Sequence, residues 1–285
     1  MQRQKRALAI HDISCFGRCS LTVALPIISA AGIETTVMPT AVLSTHTGGF
    51  TGFTYRDLTQ DILPIANHWQ ELELEFDAIY TGFLGSFEQV DIVAKIFDML
   101  KKENVLIVVD PVMADYGKLY SIFPPNFPEG MRKLCQKADV IVPNLTEAAL
   151  LLDAPYHDGP HTPKEIDDIL RALASLGPKQ VVVTGVSYDG IHLGSASFDV
   201  NTGEFSYTGE TRIEPMYHGT GDVFASALVA ALLGGRTLAQ ANEIAVRFTV
   251  ASIARTKESG TDNRFGVNFE AGLAGLKDLI ASLSA

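Results

Sequence analysis

Cysteine is scarce: Cys15, Cys19 and Cys135 are the only three in 285 residues. An odd count in a chain this long does not read as a disulfide framework. Cys15 and Cys19 lie four apart with no second pair, which is not a usual zinc ligand set. Positive charge is also short, with 22 Lys and Arg against 33 Asp and Glu and a net charge of −11. No basic block or arm occurs, so no nucleic-acid partner is expected. An acidic chain can still bind a nucleotide, because phosphate sites use local backbone N–H groups. Long apolar runs are missing as well, and nothing reaches a membrane-spanning length. The apolar run 7–10 behind the basic start is too short for a signal peptide. The expectation is a cytoplasmic protein with no membrane partner. Repeats, low-complexity tracts and linkers are lacking too, which predicts one domain over residues 1–285.

What the chain does have is apolar material, 47% of its residues, enough for a sizeable core. Short β-rich runs alternate with helix-like stretches, the signature of an α/β fold. The pattern predicts strands at 7–13, 34–39, 76–81, 105–109, 138–142 and 180–183. Runs such as 105–109 are apolar throughout, as in strands buried on both faces of a parallel sheet. Helices are predicted at 21–31, 89–101, 145–152, 164–175, 219–233, 238–257 and 269–283, the first ended by Gly32. Segments 190–200 and 204–208 read as a hairpin around Asn201-Thr202-Gly203. Polar residues end four of the strands: Asp12, Asp110, Asn144 and Thr184. In an open parallel sheet ligands bind beyond the carboxyl ends of the strands, so these four are candidates for one site.

The strongest local signal is Gly219-Thr220-Gly221-Asp222 at the start of a predicted helix. Two glycines let backbone approach a ligand closely, and the helix start adds free N–H groups and a positive dipole end. Asp222 could accept a proton from a substrate hydroxyl during phosphoryl transfer. On its own the tetrapeptide is equally a tight turn with a helix cap. It is not a Walker loop, since no Gly-Lys-Ser/Thr follows. It is not a dinucleotide fingerprint, since the third glycine is absent.

Gly-Thr-Gly-Asp late in an α/β chain resembles the anion hole and catalytic aspartate of the ribokinase-like kinases. Asp110-Pro111-Val112-Met113 and Pro143-Asn144-Leu145-Thr146-Glu147-Ala148 resemble segments of the vitamin kinases in that superfamily. Val181-Val182-Val183-Thr184 is similar to the strand whose last Thr meets ATP phosphate. Ser44-Thr45-His46-Thr47-Gly48 resembles a segment of the pyridoxal kinases. The matches come in family order from residue 7 to about 260.

The resemblance implies a three-layer α/β/α fold with a mostly parallel sheet, acting as a vitamin B6 kinase with ATP as co-substrate. Asp222 would be the base, and the N–H groups of Gly219, Thr220 and Gly221 would hold the γ-phosphate. Asp110 and Glu147 would set Mg²⁺, with Asn144 and Thr184 near the phosphates. Asp12, His46, Thr47, Phe83 and His218 would line the vitamin pocket. Asp115 would assist the metal or cap its loop. A homodimer is implied by the resemblance alone, and a monovalent cation requirement stays open.

Departures keep a second reading in play. Asp12 stands where pyridoxal kinases usually have Ser, so it would pair with a protonated pyridinium or reflect a different ring. Phe83 replaces a Tyr of many relatives. His218 before the turn matches hydroxymethylpyrimidine kinases, although those have Cys where this chain has Asp222. The alternatives are that kinase of thiamine synthesis and a non-catalytic nucleotide- or vitamin-binding protein on the same fold.

Overall fold

The computed structural model describes residues 3–283. In chain order the elements are β1 (Arg6–Ser14), α1 (Leu21–Ala30), β2 (Glu34–Leu43), β3 (Tyr55–Asp57), α2 (Thr59–Glu71), β4 (Ala78–Thr81), α3 (Phe87–Leu100) and β5 (Leu106–Val109). A small hairpin of β6 (Ala114–Asp115) and β7 (Lys118–Leu119) comes next, then α4 (Phe127–Cys135), β8 (Val140–Ile141), α5 (Leu145–Leu152) and α6 (Pro163–Ala174). The chain closes with β9 (Gln180–Val186), β10 (His192–Asp199), β11 (Glu204–Thr211), α7 (Thr220–Leu233), α8 (Leu238–Ser259) and α9 (Leu273–Ser282).

Nine strands make one sheet in the order β11-β10-β9-β8-β5-β4-β1-β2-β3. The six from β9 to β2 pair in parallel. The edges are antiparallel, β10 and β11 on one side and β3 on the other. Alternate residues of each parallel strand enter opposite cores. Leu8 and Ile10 of β1 pack with residues of α2, α3, α4, α5 and α6, whereas Ala7 and Ala9 pack with α1, α7, α8 and α9. Two helical layers therefore cover one sheet, the ribokinase-like three-layer α/β/α architecture. Helix α7 is buried along nearly its whole length, from Val223 to Leu233. A helix apolar on all sides belongs in an interior, so removing a side chain such as Leu228 would cost about 2–5 kcal/mol.

Several predicted boundaries shift. Strand β1 runs on to Ser14 and β9 to Val186, so Asp12 and Thr184 lie within strands near their carboxyl ends. The last helix begins at Leu273, after a 3₁₀ turn at Glu270–Gly272. Helices α2 and α4 were not predicted. Pro64 stands inside α2, and Pro128 and Gly130 interrupt the pattern of α4, residues that a reading of propensity takes as breaks. The three cysteines are free thiols. Among the described residues no helix is long and apolar enough to cross a membrane.

Candidate active site

The parallel ladder continues one step past the strand ends and fixes the polar residues there. The Asp110 N–H donates to the Thr81 carbonyl at 2.9 Å, and the Thr184 N–H to the Pro143 carbonyl at 3.0 Å. Asn144 pairs with Thr184 in a parallel bridge. A register shift in the β1–β2 ladder falls between His11 and Ile13. Such bulges re-aim side chains, and Asp12 lies at this one.

Helix α7 brings the Gly-Thr-Gly-Asp segment to the same crevice. Gly219 is its N-cap with φ 73°, and a Cβ there would lie 2.0 Å from the Arg18 carbonyl oxygen. Glycine is required both for the left-handed backbone and for this close approach. Around Gly221 a Cβ would meet nothing within 4 Å, so that part of the cradle faces open space. Asp222 lies in the first turn of α7. Burial pushes its carboxyl up to about 7; the Ser20 N–H opposes the shift and the negative charge of Asp12 adds to it.

Asp110 and Glu147 complete an acidic group. Burial first, then the charges of Glu147 and Asp222, hold Asp110 well above the usual carboxylate range. Glu147 is raised to about 8 by burial, against hydrogen bonds from Asn144, Met113 and Ala114. Its Oε1 accepts the Met113 N–H at 3.0 Å and its Oε2 the Asn144 N–H at 2.9 Å. Among the described residues no group of three or more His, Cys, Asp or Glu side chains is placed to hold a metal alone. Mg²⁺ takes one or two carboxylates together with substrate phosphates and water, and Asp110 and Glu147 are the donors that would offer it that set. Hard oxygens in a site of excess negative charge suit that ion.

Asn144 is partly spent as scaffold. Its Oδ1 accepts the Glu147 N–H and its Nδ2 donates to the Ala114 carbonyl, both at 2.9 Å. Its second amide N–H is the one left for a ligand.

The other end of the crevice is aromatic. Buried His46 accepts the Gly48 N–H on Nδ1 at 3.1 Å, so Nε2 carries the proton and donates to the Arg264 carbonyl at 2.6 Å. With both nitrogens occupied, His46 offers a ligand only its ring. Phe50 packs 4.9 Å from it, Phe265 stacks 6.2 Å from Phe50, and Arg264 covers Phe50 at 5.6 Å. His218 lies 5.4 Å from His46 and interacts with Asp115 of the β6–β7 hairpin. Phe83, half-buried, packs on Phe123 at 5.7 Å. Thr47 is exposed on the loop that His46 anchors. Asp12 is buried, and its oxygens accept the Ser14 hydroxyl at 3.0 Å and the Ser20 hydroxyl at 2.5 Å. Thr184, Asn144, Glu147, Asp110, Asp222 and Asp12 thus form one continuous series, with Asp115, His218 and His46 at its mouth.

A phosphomethylpyrimidine kinase family model matches residues 25–266. The chain belongs to that family. This kinase is 28% identical over 272 residues to a pyridoxal kinase of Haemophilus influenzae, covering 88% of this chain and 89% of the relative. It superposes with a TM-score of 0.92 and 38% identity on a Bacteroides thetaiotaomicron protein assigned to the phosphomethylpyrimidine kinases and crystallised with pyridoxal, covering 96% of each chain. A pyridoxal kinase from Lactobacillus plantarum is 33% identical with a TM-score of 0.89, over 99% of this chain and 100% of that one. The expected membership of the ribokinase-like vitamin kinases is borne out.

Some residues of the crevice escaped the sequence reading. Ser14 and Ser20 hold Asp12, and the Cys19 thiol is raised by burial and by the nearby charges of Asp222 and Asp12. Phe50 and Phe265 reach the site from loops far apart in the chain, with no periodic signal to announce them. Ser14 and Ser20 did carry a signal, two hydroxyls following an acid on the approach to a helix.

Proposed function

We propose that this kinase transfers the γ-phosphoryl group of ATP to the 5′-hydroxymethyl group of a vitamin B6 vitamer (pyridoxal, pyridoxine or pyridoxamine), giving the 5′-phosphate and ADP. The observation that carries this reading is Asp222, a carboxyl raised to about 7 in the first turn of α7 beside the Gly219 cradle. A base with a pKa near the working pH is well matched to take a hydroxyl proton. The substrate oxygen bonds to the γ-phosphorus, the bond to the ADP oxygen breaks, and the hydroxyl proton passes to Asp222. The N–H groups of Gly219, Thr220 and Gly221 meet the charge that develops on the transferring group. Asp110 and Glu147 would hold Mg²⁺, which would neutralise phosphate oxygens. Asn144 and Thr184 contact the phosphates.

Asp12 faces the ring, where its carboxylate suits a protonated pyridine nitrogen. His46 and Phe83 supply walls, and Thr47 and His218 close the mouth. The same proposal holds a single kinase domain over residues 1–285, a homodimer and a cytoplasmic setting, the last supported by three unpaired thiols.

One second reading has a specific observation behind it. His218 and membership of the phosphomethylpyrimidine kinase family favour a hydroxymethylpyrimidine. ATP consumption with Mg²⁺, with and without added K⁺, measured on each B6 vitamer and on hydroxymethylpyrimidine, separates the readings. A higher kcat/KM on a B6 vitamer is expected. The reverse order would give the thiamine-route kinase, and no turnover with any of them a binding protein.

A further inference from the structure

Ser20 opens α1 in an unusual way. A Ser at a helix N-cap normally turns its hydroxyl onto a free N–H of the first turn. Ser20 makes no such bond; only its carbonyl serves the helix, accepting the Val23 N–H at 3.0 Å and the Ala24 N–H at 2.9 Å. Its backbone sits at φ 56°, ψ −130°, a region that side chains other than glycine rarely adopt and that persists only when the surroundings impose it. One buried residue therefore carries two local penalties.

Both penalties have the same geometric explanation. From this conformation the hydroxyl points away from the helix and donates to Asp12 Oδ1 at 2.5 Å. The N–H faces the Asp222 carboxylate. The surrounding loop is pinned on both sides. Thr22 Oγ1 donates back to the Cys19 carbonyl at 2.8 Å, and the Arg18 carbonyl lies against the Cα of Gly219 in the phosphate cradle. Asp12 and the start of α7 are thus held near each other by one segment, in which the Ser20 hydroxyl donates to Asp12 and its N–H faces Asp222. Helix-capping geometry would satisfy neither.

We propose that Ser20 is a positioning residue that couples ring recognition to phosphoryl transfer. Its hydroxyl sets the Asp12 carboxylate toward the ring, and its N–H sets the Asp222 carboxylate toward the reacting hydroxyl. The inference rests on the reading of Asp12 and Asp222 given above.

Ser20→Gly and Ser20→Ala separate the two duties. Glycine keeps the positive φ without strain, so the N–H keeps its place facing Asp222 and only the hydroxyl is lost. Losing a hydrogen bond to a charged group predicts a KM for the vitamer raised about 10-fold or more with kcat within about 3-fold. Alanine loses the hydroxyl but keeps the Cβ that disfavours the positive φ, so the backbone is no longer held by the Asp12 bond and relaxes, and kcat should drop by about 10-fold as well. In an Asp12→Asn background Ser20→Gly should add little to KM, because the two act on one interaction. Circular dichroism and thermal melting check that each variant is folded. A folded Ser20→Gly enzyme with wild-type KM, or with a KM effect that simply adds to that of Asp12→Asn, overturns the coupling. Asp222→Asn in parallel keeps the two readings apart. If that variant loses turnover while Ser20→Gly is silent, only the Ser20 inference fails; if it keeps turnover, the base assignment fails.

Discussion

Asn144 and Glu147 cap each other across the first turn of α5. The Glu147 N–H donates to Asn144 Oδ1 and the Asn144 N–H to Glu147 Oε2, each at 2.9 Å. The remaining Glu147 oxygen takes the Met113 N–H from the loop after β5. A residue expected from sequence to act through its charge is therefore also a fastener between β5, β8 and α5. That double duty alters what its replacement should do.

Glu147→Gln keeps one carbonyl oxygen and places an NH₂ where a second acceptor stood, so one backbone N–H loses its partner. Leaving a buried donor unpaired costs about 1–3 kcal/mol. The variant should melt at a lower temperature than the wild type and need more Mg²⁺ for half-maximal rate. A thermal melt and a magnesium titration of activity check this. An unchanged titration would leave Glu147 as a fastener only.

The buried carboxyls also set a pH dependence of stability. Asp222 and Glu147 have folded pKa values of about 7 and about 8, and Asp110 is raised in the same direction. Unfolded carboxyls titrate near 4. Between these limits the folded state holds the extra protons, so stability is full below about pH 4 for these groups and falls as pH rises towards 7–8. His11 works the other way. Complete burial lowers it to about 3, so its contribution is intact above about 6.5 and is lost on acidification. Asp12 and Asp115 are raised as well, and His46, His161 and His218 lowered; the histidines change little above about pH 6.5, so Tm without metal should fall from about pH 6.5 to pH 8. Mg²⁺ with nucleotide should shrink that fall by supplying positive charge. Calorimetry at several pH values, with EDTA and then with Mg²⁺ and ADP, measures both effects.

Much of this architecture is legible in the sequence. The apolar runs that became β4, β5, β8 and β9, the alternation with helices, and the polar residues at strand ends all follow from local composition. Gly219 to Asp222 could be singled out because the proposed phosphate cradle is built from consecutive residues. The aromatic end was harder to read. His46 and Phe50 lie on the loop after β2 and Arg264 and Phe265 in the turn after α8, and the two segments meet only after folding. His46 shows the limit well: the sequence supplies a candidate histidine, but only the bonds to Gly48 and Arg264 reveal that both nitrogens are spent.

Gly219→Ala should abolish the cradle. The added methyl would sit 2.0 Å from the Arg18 carbonyl oxygen and face a backbone at φ 73°. Backbone cannot yield as a flexible side chain would, so the turn must move. The expected result is a folded protein with ATP affinity down at least about 10-fold and turnover down by about 100-fold or more, the scale for losing oxyanion-type donors. Nucleotide titration by calorimetry and a steady-state assay test it. Wild-type ATP affinity would show that phosphate is held elsewhere.

Asp222→Asn tests the chemistry itself. Asparagine keeps the shape and removes the proton acceptor, so kcat should fall by roughly two to four orders of magnitude. ATP affinity should hold or rise, since a negative charge leaves the phosphate site while the Gly219 turn remains. The pH profile gives a second, independent reading. In the wild type Asp222 must be ionised to accept the proton, and with its pKa raised to about 7 kcat/KM should climb through neutral pH and level off above it. In Asp222→Asn that climb should vanish, leaving a low and flat rate. If the variant keeps near wild-type turnover on every B6 vitamer, or keeps the rise through pH 7, another group takes the proton and Gly-Thr-Gly-Asp serves only as a phosphate-binding turn.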